Sequence, residues 1–114
     1  MPNYNTNENE LNGKVTYNAS IVKGIVALAV TDVNGVSLRK IGNSDNFELI
    51  KLSFNDDDVD VDVSVDIEYG YNVPDVAYEI QQSVKRNVES MTKYKVKTVD
   101  VHFEGVSFPN DIID

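Results

Sequence analysis

The stretch that decides the fold is Val59-Asp60-Val61-Asp62-Val63-Ser64-Val65-Asp66-Ile67-Glu68-Tyr69. Apolar and polar residues alternate along it without a break. Strand side chains point alternately to opposite faces. Val59, Val61, Val63, Val65, Ile67 and Tyr69 therefore share one side, and Asp60, Asp62, Ser64, Asp66 and Glu68 share the other. The spacing predicts a long strand of antiparallel type with one wet, acidic face. Its apolar face needs a cover, and the flanking sequence supplies two amphipathic segments.

Upstream, Ile21, Val22, Ile25, Val26, Leu28, Ala29 and Val33 recur at steps of three and four. This predicts a helix from Ala19 to about Asp32, started by Asn18 or Ser20 and closed by Gly35. Downstream, Val76, Ala77, Ile80, Val84, Val88 and Met91 form a second stripe, with Pro74 in the first turn. Asp75 and Glu79 lie toward the positive end of that helix dipole, and Lys85, Arg86 and Lys93 toward the negative end. Strands are expected over 13–17, 36–41 and 47–54, a loop over 42–46 and a turn over 55–58. A last strand is expected over 95–104, with Val99, Val101 and Phe103 facing in and Asp100, His102 and Glu104 facing out.

The order β-α-β-β-β-α-β predicts an α+β two-layer sandwich, with a mostly antiparallel or mixed sheet and both helices on one face. Residues 1–11 read as a flexible N-terminal tail, 12–106 as a single domain and 107–114 as a C-terminal tail.

The chain has 114 residues, a formal charge of −9, one His and no Cys. No disulfide framework or Cys-based zinc site can be built from it. The polar start lacks the basic and apolar regions of a secretory leader. The longest apolar-rich stretch, Ile21 to Val30, is broken by Lys23 and falls far short of the roughly 20 residues that span a bilayer. The acidic balance disfavours nucleic acid, which is bound through Lys and Arg. It equally disfavours adsorption to anionic lipid. The expectation is a cytoplasmic protein with protein partners, no nucleic acid and no direct membrane insertion.

Several segments recur in a recognisable order: Gly13-Lys-Val-Thr-Tyr17, the Ile/Val-rich helix ending in Val33-Asn-Gly-Val36, and the alternating strand running into Glu68-Tyr-Gly-Tyr-Asn-Val-Pro74-Asp-Val-Ala. Ile80-Gln-Gln-Ser-Val-Lys-Arg-Asn-Val-Glu-Ser-Met-Thr92 and Val99-Asp-Val-His-Phe-Glu-Gly-Val106 follow. Over residues 12–108 the chain resembles the alkaline shock protein family, a bacterial envelope stress response family with general-stress-protein relatives. The resemblance implies a cytoplasmic stress protein without established catalytic residues. It implies self-association in some members, and in others a place beneath the membrane through a separate membrane-anchored partner. A regulatory partnership with a metabolic enzyme, of lipid synthesis for example, is the alternative it carries. Many relatives have a longer Gly/Lys-rich insertion where this chain has only Gly42–Asn46, and the outer strand face here is unusually acidic.

Four features invite chemistry. Asp56-x-Asp58-x-Asp60 matches the opening ligands of a calcium loop. Val61 stands where that loop needs Gly, however, and Ile67 where it needs Glu. A strand emerging from a turn explains the same spacing, so no metal or other cofactor is expected. His102 has acidic neighbours but no identified nucleophile, which reads as an exposed His paired with acid across a sheet. Acidic neighbours would also make its charge pH-sensitive.

Lys85, Arg86, Lys93, Lys95 and Lys97 are half of the basic residues, and none occurs from Leu52 to Val84. These charges read either as solvated charge that complements the helix dipole or, with an acidic face of Asp60, Asp62, Asp66 and Glu68 opposed to this basic end, as an interaction surface suited to head-to-tail self-association. Tyr69 and Tyr71 flank Gly70 before the second helix. They read either as a seal on the core edge or as a groove for an anion at the helix start.

Overall fold

The computed structural model describes residues 17–38 and 49–108. Helix α1 spans Ala19–Thr31 and is capped by Asn18, whose side chain accepts from the Ile21 N–H. Strands β1 (Val36–Leu38), β2 (Ile50–Asn55) and β3 (Asp58–Glu68) follow, then helix α2 (Val73–Met91) and strand β4 (Lys95–Ser107). This order, α-β-β-β-α-β, is the expected one from the first helix onward. The strand expected over 13–17 and the loop over 42–46 lie outside the described residues, apart from Tyr17, as do 1–11 and 109–114.

Strand β3 is the spine of a mixed sheet. β1 and β2 pair with it antiparallel along one edge, at Val36↔Ile67 to Leu38↔Val65 and Ile50↔Val63 to Asn55↔Asp58. β4 runs parallel along its other edge from Asp58↔Lys95 to Glu68↔Ser107. The alternation of β3 is fully expressed: Val59, Val61, Val63, Val65 and Ile67 are buried, and each polar residue between them is partly exposed. Both helices cover this apolar face. Val22, Ile25, Val26, Ala29 and Val30 of α1 and Val76, Ile80, Val84 and Val88 of α2 join the β3 valines in one core.

The turn between β2 and β3 is Asp56-Asp57, with Asp56 at φ 58°. A short polar side chain tolerates that left-handed conformation. Gly35, at φ +91°, does not itself cap α1: the cap is Asp32, and Gly35 turns the chain three residues later into β1. Asn72 caps α2 by accepting from the Asp75 N–H, and Pro74 sits in the first turn.

Several expectations are corrected. Ile21 and Leu28 are 50% and 72% exposed, and Met91 is 59% exposed. Each lies at the margin of a stripe whose centre already fills the space above the sheet. Strand β1 is described only to Leu38, and β2 begins at Ile50 rather than 47. β4 continues past Glu104 to Ser107, because a register shift after Val65 lets Ile67 and Glu68 pair with Val106 and Ser107. The carbonyl of Ser107 also accepts from the Tyr69 N–H at 2.7 Å, and the Phe108 ring lies 5.2 Å from that of Tyr69.

Candidate functional site

Among the described residues, the polar back of the sheet, the outer edge of β4 and a groove beside Tyr71 present polar groups outside the core. On the back, β3 presents Asp58, Asp60, Asp62, Ser64, Asp66 and Glu68. Thr98 donates to Asp60 at 2.8 Å, and His102 Nε2 lies 2.9 Å from Asp62 Oδ2. The hydrogen bond and charge of Asp62, with Asp100 and Glu104 adding to them, raise the His102 pKa above its usual value. The expected His–acid pair across the sheet is therefore present. Ser64 stands opposite His102 in the ladder, which completes a Ser–His–Asp set by composition. No hydrogen bond joins Ser64 to His102, and neither of the grooves described below reaches them. Nucleophilic catalysis needs that contact and a donor for the oxyanion.

The acidic run does not form a calcium loop. Asp56 and Asp57 make a hairpin turn, while Asp58, Asp60 and Asp62 are spread along β3. Among the described residues no group of three or more His, Cys, Asp or Glu is placed to hold a metal ion.

The five clustered basic residues divide between two sides of α2. Lys85 pairs with Glu89 at 2.9 Å, and Lys97 approaches Asp58 at 3.9 Å. Lys85 and the Val96 N–H hold the Glu89 carboxyl below the ordinary carboxylate range. Arg86 turns to the other side of α2. There it lines a groove of about 300 Å³ with Asp32, Tyr71, Asp75 and Glu79. Lys93 lies exposed after α2, and Lys95 bonds through its backbone to Asp57. Adjacent positions on a helix point about 100° apart, which separates Lys85 from Arg86. Lys85, Lys95 and Lys97 thus stay together around Glu89 and the start of β4, partly paired with Glu89 and Asp58, while Arg86 stands apart.

The two tyrosines also part. Tyr71 lines the Arg86 groove, whereas Tyr69 turns to Phe108. The groove has three carboxylates against one guanidinium, and the N–H of Asp75 is already taken by Asn72. It is not an anion cradle. Tyr71 instead serves as the seal, its ring packed on Gly35.

The edge of β4 was not legible as a site in the sequence. Its backbone directions follow from three bonds. Glu89 accepts from the Val96 N–H, and Gln81 donates to the Val99 carbonyl at 3.1 Å, so both residues point away from β3 toward α2. Ser107 points to β3, since its carbonyl meets Tyr69. Directions alternate along a strand, with shifts at Lys97 and Glu104 where the register slips. Val96, Val99, Val101, Phe103 and Val106 therefore turn their N–H and C=O groups to the open edge. Only the first two meet a side chain of α2. Between α2 and this edge runs a groove of about 370 Å³, lined by Gln81, Gln82, Lys85 and residues 96–100.

Ser83 joins the two helices, a role absent from the expectations above. It is buried, and its hydroxyl donates to the Ala29 carbonyl at 2.8 Å, tying α2 to α1. The signal was available: a Ser set between Ile80 and Val84 on an otherwise aliphatic stripe.

Residues 7–108 match the alkaline shock protein 23 family, whose description is a cell envelope-related function. An uncharacterized protein of Streptococcus pyogenes, Spy1535, is 30% identical over 102 residues, covering 82% of this chain and 79% of the relative. The uncharacterized protein YqhY of Bacillus subtilis is 23% identical over 106 residues, covering 84% and 78%. Among solved structures, a MamM-CTD variant superposes with a TM-score of 0.49 at 17% identity, over 77% of this chain and 98% of that one. No helix among the described residues is long and apolar enough to cross a membrane. The match extends over residues 7–108, and the chain belongs to the alkaline shock protein family of envelope-related bacterial stress proteins.

Proposed function

We propose that the chain is a non-enzymatic envelope stress protein that works by binding other proteins, and copies of itself, along the open edge of β4. The observation that carries this reading is the run Val101–Val106. There, outward backbone donors and acceptors stand beside half-buried Val101 and Phe103, and no side chain of α2 covers them. An extended segment can add to such an edge as a further strand, with main-chain bonds giving affinity. A membrane-anchored partner offering such a segment would hold the chain at the envelope.

The test is capture from the native bacterium, before and after alkaline stress, with the wild-type chain and Val101→Pro as baits. The Val101 N–H points to solvent, so proline removes no bond within the sheet. Partners held by the wild type and lost by the variant support the reading. An identical set on both baits contradicts it.

A further inference from the structure

The open edge of β4 is self-complementary. Its outward residues, Val96, Val99, Val101, Phe103 and Val106, map onto themselves when the strand is reversed about Val101: 96 onto 106, 99 onto 103. The two register slips, at Lys97 and Glu104, flank that centre almost symmetrically and preserve the match. We propose that two copies of this chain pair their β4 strands antiparallel about a two-fold axis at Val101, merging their sheets with α1 and α2 of both copies on one side. This deepens the reading given under the proposed function and rests on it, because it names one occupant of that edge.

The backbone sets which registers are allowed. Outward residues must face outward residues, so Val101 meets Val101, and Val99 meets Phe103, each pair exchanging two hydrogen bonds. A slip of one residue would set outward groups against inward ones and turn the apolar side to water.

Charge then chooses among the remaining registers. With the axis at Val101, Asp100 lies opposite the second copy's His102 on the wet side, twice over. These are the closer, non-hydrogen-bonded pairs, about 4.5 Å between Cα atoms. Moving the axis to Asp100 sets Asp100 against Asp100. Moving it to His102 sets Asp100 against Glu104 and His102 against His102. Either shift juxtaposes like charges.

On the dry side the same register sets Val106, 54% exposed in the single chain, against Val96 of the second copy beneath α2. Phe103 meets Val99 there. Gln81 and Glu89 bond the edge at Val99 and Val96, and Gln82 and Lys85 line the groove beside it. A carbonyl has two acceptor sites, so Gln81 need not leave, whereas the Val96 N–H has a single proton, so Val106 bonds it only after Glu89 turns out.

The chain has no cysteine, so one introduced cysteine reports its own symmetry mate. The experiment measures mass by light scattering at about 0.15 M salt, where repulsion between the two acidic chains is screened. It also measures disulfide formation in Val101→Cys, with Ser53→Cys on β2 as the control. The expected result is a dimer whose affinity falls at least tenfold in Val101→Pro. Val101→Cys should cross-link far faster than the control, because paired Cα atoms at about 5.5 Å suit a disulfide. A wild-type dimer that persists in Val101→Pro and leaves Val101→Cys reduced overturns this interface while leaving self-association elsewhere intact. A wild type that stays monomeric at millimolar concentration overturns both the interface and the self-association in the broader reading. Cross-linking of Val101→Cys stands as the deciding result if the proline variant does not fold.

Discussion

The ring of Tyr71 lies where a side chain of Gly35 would be: a Cβ built there would sit 2.5 Å from Tyr71 Cγ and Cδ2. Gly35 also has φ +91°, and its carbonyl accepts from the Glu68 N–H at 2.8 Å. This one contact joins the exit of α1, the end of β3 and the approach to α2. Gly35→Ala should destabilise the protein by about 2–3 kcal/mol, combining left-handed backbone cost and displacement of the ring. Chemical denaturation measures it. In a Tyr71→Ala background the same change should cost only the backbone part, so a double-mutant cycle showing no coupling would contradict the contact.

The buried Ser83 hydroxyl gives a second prediction. The Val33 N–H bonds to Val30 rather than to Ala29, so the Ala29 carbonyl is among those a helix end leaves open. Ser83 fills it. Ser83→Ala should cost about 1–2 kcal/mol, the price of an unsatisfied buried carbonyl. A neutral result would mean that water or another donor replaces the hydroxyl.

Turn chemistry gives a third. Asp56 is the one non-glycine at positive φ among the described residues, in a two-residue hairpin turn. Asp56→Gly should stabilise by up to about 1 kcal/mol, since glycine takes that conformation without a Cβ penalty. The midpoint of thermal unfolding should rise. A fall would argue that the Asp56 side chain bonds the turn.

The pH response of His102 has a definite sign. Asp62 raises its pKa above 6.5 in the folded chain, and Asp100 and Glu104 add to the effect. Desolvation of the ring opposes it. A raised folded pKa means that the protonated pair stabilises the fold fully below about 6.5, and that this contribution is lost as pH climbs through the folded value. NMR titration of the imidazole should give a pKa above the model-peptide value that drops in Asp62→Asn. An unchanged pKa in that variant would break the link. Glu89 behaves oppositely: its lowered pKa contributes above the unfolded carboxylate value and is lost on acidification.

What the sequence made legible follows from its periods. Strand β3 could be read residue by residue, since strict alternation has one structural solution. Helix α1 could be placed but not oriented at its margins. It is apolar nearly all round, and the periodicity of Ile21 and Leu28 does not say which flank the sheet covers. The parallel partnership of β3 with β4 has no local signature. Nor do the outward directions of Val101 and Phe103, which depend on bonds from Glu89 and Gln81. The slips in β4 did leave a trace: Lys97-Thr98 and Glu104-Gly105 are the two places where its alternation stumbles. Arg86 leaves the basic cluster because closeness in sequence, Lys85 beside Arg86, is divergence on a helix.

Hydrogen exchange resolved by residue reads directly which backbone groups of β4 are free. In dilute protein the amides of Asp100 and His102, which point to β3, should be strongly protected. Those of Val101 and Phe103 should exchange near the rate of an open chain, and should slow as concentration rises and the edge is filled. Protection of Val101 and Phe103 in the dilute chain, or rates that ignore concentration, would contradict the free edge and the pairing built on it.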